Sequence, residues 1–230
     1  MFAVEETLRP RSRKAEELVP SRYALRVGEI DVLVISDGVL PLPAATLATN
    51  AAPADLSAWL DDRLLAPDVY TWPLNAVVVR SGGRTILVDA GIGGADPGFR
   101  AGQLARRMEA AGIDLASVTD VVLTHMHMDH VGGLLAEGLK DRLRPDVPIH
   151  MAAAEVEFWA SPDFSRNTFG GMSDVLHATA TRFLHAYRGQ LRLFDTRHEV
   201  AQGVGGGRPR RDLQLDHSCN FLRHKNLNWN

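Results

Sequence analysis

The stretch "LTHMHMDHVGG", residues 123–133, places His125, His127, Asp129 and His130 within six positions. Neutral imidazole and carboxylate are the donor set of zinc and similar divalent cations. His125 and His127 are two residues apart, so a chain that stays extended through them points both side chains to one side, where they can grip one ion. Asp129 and His130 follow where the chain turns into a helix, and this pair can face a second ion. Gly132 and Gly133 remove side-chain bulk beside the site and let the backbone turn tightly. The alternative, a set of surface histidines in a polar loop, does not account for such regular spacing directly behind an apolar strand.

Such a cluster needs rigid elements behind it. "VTDVVLTH" reads as a buried strand that ends at the histidines, and "VGGLLAEGLKDRL" as a helix that starts just after them. Ligands of α/β sheets gather at the carboxyl ends of strands, which is where this order puts the cluster. Upstream, "NAVVVRSGGRTILVDAG" is a hairpin around Ser81-Gly82-Gly83-Arg84. "ALRVGEIDVLVISDG" reads as two short strands around Gly28-Glu29, stopped by Asp37-Gly38, and Asp55 can cap a helix over "LSAWLDDRLL". Residues 100–111 have helical spacing. Downstream come the short strand "PIHM", a helix from "AAEVEFW", a longer helix in "GMSDVLHATATRFLHAYRG" and the strand "LRLFD". His150 ends a strand as a satisfied structural group, His177 and His185 share an exposed helix face, and His198 falls in a polar turn. Alternating strands and helices indicate an α/β protein with a mixed sheet and helices on its outer faces.

Composition narrows the classes. A net charge of −3 gives no electrostatic case for nucleic acid. No stretch has the length of a membrane span or a signal-peptide core, and the single cysteine, Cys219, suits a reducing compartment. The expectation is a cytoplasmic protein with a small-molecule partner. Residues 1–20 read as a flexible leader, 21–202 as one domain, and 203–230 as an irregular tail that is Gly-rich, then Arg-rich, then Asn-rich.

"THMHMDHVGGL" resembles the signature of the metallo-β-lactamase-fold metallohydrolases, with "NAVVV…TILVDAG" and "SVTDVVLTH" as supporting matches. "SDGVLPLP", "AEVEFW" and "FDTRHEVAQGV" look most like the methyl parathion hydrolase and N-acyl homoserine lactonase branch. The resemblance runs from about Tyr23 to Val204 and implies an αββα sandwich, of which this chain carries the first half and part of the second. It implies two divalent ions, zinc first, with manganese, cobalt and iron as the other candidates. His125 and His127 would bind one ion, and Asp129 and His130 the other. Asp129 would also orient the nucleophilic water or shuttle its proton, in the hydrolysis of a lactone, ester or phosphotriester.

In the resemblance Asp89 of "VDAG" orders the metal loop from behind, although as a bare residue it reads equally as a strand-end turn. Trp159 and Phe169 fall where that branch has pocket aromatics, although an aromatic beside a helix is usually core. The family pattern stops at about Val204, before the family's further histidines and bridging aspartate. The expectation from that break is a frameshifted or truncated continuation, an exposed sheet face suited to a homodimer, and a rival reading as an inactive fragment that at most binds metal or another chain.

Overall fold

The computed structural model describes residues 21–48, 50–67, 69–94, 100–164, 172–195 and 197–207. The expected leader, nearly all of the expected tail, and Phe169 lie outside these residues.

Nine strands and six helices follow one another in the order β1 (Arg22–Val27), β2 (Ile30–Pro43), α1 (Ala44–Leu47), α2 (Pro53–Asp62), β3 (Val69–Ser81), β4 (Arg84–Val88), α3 (Leu104–Ala110), β5 (Asp120–Val122), α4 (Met128–Leu135), β6 (Ile149–Ala152), α5 (Ala153–Ala160), α6 (Ser173–Tyr187), β7 (Leu191–Phe194), β8 (Arg197–Ala201) and β9 (Val204–Gly207) among the described residues. The first seven strands form one sheet in sequence order. β1 to β4 pair antiparallel, and β4 to β7 pair parallel. The last two strands form a separate hairpin. The sheet is therefore mixed, as the hairpins followed by strand–helix alternation indicate.

The core explains where the site lies. Ile35, Val78, Leu87, Val121, Ile149 and Met151 point to one face and bury Met108, Leu134, Trp159, Phe183 and their neighbours from α3, α4, α5 and α6. The helices of the main core thus cover one face, the layering expected for one half of an αββα sandwich. Alternate residues of the same strands point to the other face. There Val79 and Ile86 pack against Val200 and Ala201 of the terminal hairpin. Beyond that hairpin the sheet has little cover: Tyr23 and Val27 on β1 are 69% and 59% exposed.

Several element boundaries differ from the sequence reading. β2 does not stop at Asp37-Gly38 but crosses it, with a register shift between Ser36 and Gly38. A β-bulge absorbs the extra residue and lets the strand continue. α2 starts with Pro53 in its first turn, so Asp55 lies inside the helix and caps nothing. Pro suits that position because its missing N–H has no intrahelical acceptor there anyway. α3 starts at Leu104, four residues later than the spacing suggests. No helix among the described residues is long and apolar enough to cross a membrane.

Candidate metal centre

β4 and β5 run parallel and end level, Val88 opposite Val122. Both chains then turn into the site. Past β5, Leu123 and Met126 are buried. Anchoring these two apolar residues presents His125 and His127 on the intervening loop. His127 is the N-cap of α4, which begins at Met128, so Asp129 and His130 occupy the first helical turn. The helix therefore starts inside the cluster and not after it. A carboxylate in the first turn is favoured by the unpaired N–H groups there.

The four side chains come together. The His125 ring lies 4.5 Å from His127 and 3.9 Å from His130, centroid to centroid. His130 is held at both nitrogens: Nδ1 lies 2.9 Å from Asp89 Oδ2, and Nε2 lies 3.4 Å from Asp129 Oδ2. Burial pushes the His130 imidazolium toward losing its proton, but the Asp129 and Asp89 carboxylates outweigh this and raise its pKa to about 10. Burial likewise opposes ionisation of Asp129, and the His130 partner outweighs it, holding the carboxyl below its usual range.

Asp89 sits behind the cluster. It is buried, with a left-handed backbone at φ 59° that turns the chain sharply off β4. Asp is among the few non-glycine residues that tolerate this conformation. Its carboxylate accepts the Thr124 N–H at 2.9 Å, and Thr124 Oγ1 lies within 3.1 Å of both carboxylate oxygens and 3.0 Å from His125 Nδ1. Asp89 is therefore more than a turn residue.

Three further residues contribute that the sequence did not single out. Thr124 ties Asp89 to the histidine loop. Asp37, buried in the β2 bulge, accepts the Ile92 N–H at 2.9 Å and the Leu104 N–H at 2.8 Å, so it pins the loop after β4 to the start of α3. That loop in turn presses on α4. The Ala90 N–H donates to the His130 carbonyl, and a Cβ added at Gly132 or Gly133 would overlap the carbonyl oxygens of Ile92 and Ala90. Glu155 on α5 accepts the Met126 N–H and the Trp159 indole N–H, each at 3.1 Å. The Asp-Gly pair imitates a turn, and a lone Glu in a helix carries no signal of what it will meet.

A family model for the metallo-beta-lactamase superfamily matches residues 69–211. The chain belongs to that superfamily. The match extends a few residues past Val204, where the sequence resemblance had been placed to stop, and β9 likewise lies in the expected tail.

Among solved structures it resembles "AidC, a Dizinc Quorum-Quenching Lactonase", with a TM-score of 0.69 and 21% identity over 79% of this chain and 64% of that one. It also resembles "hydrolase AbOPH in beta lactamase superfamily", with a TM-score of 0.66 and 19% identity over 79% of this chain and 63% of that one. A probable metal-dependent hydrolase from Staphylococcus aureus has a TM-score of 0.58 and 14% identity over 79% and 64%. The chain thus spans less than two thirds of the length of these relatives. Curated proteins give no significant sequence match.

The donors suit the superfamily's divalent cations. Two ligands of a tetrahedral ion with bonds of roughly 2.0–2.1 Å stand roughly 3.3–3.4 Å apart, and Asp129 Oδ2 lies 3.4 Å from His130 Nε2. The Asp89–His130 contact is the carboxylate–imidazole pairing that orients a ligating histidine through its other nitrogen. Among the described residues, no three His, Cys, Asp or Glu side chains converge as one ligand set. Trp159 is fully buried, with its ring edge-on to His127 at 5.9 Å and contacts to Phe158 and Phe164. It is a core residue whose ring meets that of His127. His198 is not in a turn: it lies on β8, and its Nε2 is 2.9 Å from His150 Nδ1.

Proposed function

We propose that this protein is a metal-dependent hydrolase that directs an activated water onto a lactone, ester or phosphotriester. The observation that supports it best is the joint placement of His125, His127, Asp129 and His130 at the exit of β5, with Asp89 fixing His130 from behind. His125 and His127 would hold one divalent ion, and Asp129 and His130 a second. Zinc is the first candidate by donor type. Such ions, when bound, lower the pKa of water to roughly 7 and offset negative charge on a substrate oxygen.

The remaining work falls to the chain itself. Asp89 and Thr124 orient the imidazoles. Asp129 would orient the nucleophilic water or shuttle its proton beside His130. Trp159 supplies a dry apolar wall against His127, suited to the acyl or aryl part of a small-molecule substrate. Metal binding at His130 would compete with its proton, because a ligating imidazole must be neutral.

A second reading is a chain that binds metal without turnover, or that acts with another chain. It is favoured by the lack of a three-donor set among the described residues. Metal analysis with a turnover assay on an acyl homoserine lactone and a paraoxon-type phosphotriester separates the two. We expect about two ions per chain and turnover that is lost in His127→Ala. Substoichiometric metal with no turnover in the parent chain would support the second reading.

A further inference from the structure

Glu155 stands outside the ligand set, yet it joins two parts of the site. It lies in the first turn of α5, where the helix N-terminus favours a carboxylate. Trp159 is four residues later on the same helix face. One oxygen of Glu155, Oε2, takes both the Trp159 indole N–H and the backbone N–H of Met126. Met126 is the buried residue between His125 and His127. Both N–H donors belong to buried residues, so removing the acceptor strands them away from water. The same loop carries His127, whose ring meets the edge of Trp159. Loop, aromatic wall and helix α5 are thus tied at a single atom.

We propose that Glu155 is a positioning residue that sets the His125/His127 pair and the Trp159 wall as one unit. The proposal rests on the metal-centre reading above. It makes the position of one ion and the position of the apolar wall depend on each other. A hydrogen-bond acceptor at Oε2 suffices for this, since both contacts are N–H donations. Glutamine can place its amide oxygen there, whereas leucine, of similar size, cannot accept.

The test compares Glu155→Gln, Glu155→Leu and the parent in two ways. In metal-free protein, NMR follows the Trp159 indole N–H, assigned with Trp159→Phe, and the Met126 amide. With metal, cobalt(II) titration followed by its visible absorption gives affinity and ligand field. Glu155→Leu should move both N–H signals upfield and weaken cobalt binding about 10–100-fold, the usual effect of losing a group that orients a ligand. Glu155→Gln should keep both signals near the parent positions and stay within about threefold in affinity, well inside that range. Val118→Ala, a core truncation before the far end of β5, controls for lost stability and should leave the cobalt spectrum unchanged.

Parent-like signals and affinity in Glu155→Leu would overturn the proposal, as would Glu155→Gln behaving like Glu155→Leu. If the parent itself takes up no cobalt, the metal-centre reading fails, and the metal-free NMR arm still decides whether Glu155 fixes the loop.

Discussion

The chain builds two histidine–carboxylate clusters, one at each end of the interior strand β5, and holds them in opposite ways. At the exit of β5, His130 lies between Asp89 and Asp129 and its pKa is raised to about 10. On the face turned away from the helices, Asp120 at the start of β5 is fully buried, accepts from Arg84 Nε at 2.8 Å and from Thr119 at 2.7 Å, and lies 2.9 Å from His150 Nε2. Burial lowers the His150 pKa, and the single Asp120 carboxylate, shared with Arg84, does not restore it. His198 completes the chain from β8, stacked on Phe194. The lesson concerns placement. A carboxylate shared with arginine and threonine is spent on holding a sheet together. At the strand's exit two carboxylates converge on one imidazole with no arginine among the described residues beside them, and the His130 pKa rises.

The largest effect that would break this contrast is on stability. Asp120→Ala strands Arg84 and His150 and should cost about 2–3 kcal/mol in denaturant unfolding, as expected for lost hydrogen bonds to a charged group. It should leave metal stoichiometry intact; a loss of metal would merge the two clusters into one system.

The next effect is on metal affinity. Asp89→Asn keeps the shape but removes the charge behind His130, so zinc affinity measured by competition should fall about 10–100-fold. An unchanged affinity would return Asp89 to the status of a turn residue.

The third effect is on pH dependence, and here the two imidazoles tilt stability in opposite directions. His150 has a folded pKa below its unfolded value of roughly 6.5. Its contribution is present above that pH and is lost as the pH falls through the folded value, at no more than about 1.4 kcal/mol per pH unit. Asp120, also held low despite the burial that opposes ionisation, acts in the same direction at lower pH. His130, with its folded pKa raised, stabilises the metal-free chain fully below roughly 6.5, and this is lost as the pH rises through about 10. Thermal melting of the metal-free protein should therefore decline on both sides of neutrality. His150→Gln should flatten the acid limb, and His130→Gln the alkaline one. A parent curve flat on the alkaline side would show that His130 is not held as an imidazolium.

How much of this was readable in the residues follows from the range of each interaction. The four donors of the histidine motif, the strand before it, the alternation of strands and helices, and the Gly132-Gly133 pair are local signals. Spacing and periodicity carry them, because neighbours in sequence decide which way side chains point. The α/β fold class follows from the same patterns, and the four side chains that the structure gathers at the exit of β5 could be named before any coordinate.

Contacts made by distant residues could not be read that way. Asp37 and Gly38 have the chemistry of a turn, and only the pairing of β2 with β3 and the approach of residues 92 and 104 convert them into a buried clip. His198 looks like a polar loop residue until the terminal hairpin sets it against His150. Glu155 becomes a clamp because α5 packs beside the histidine loop. In each case the physical reason is the same: a buried polar group needs a partner, and the partner comes from an element that is remote in sequence and adjacent only once the sheet has assembled.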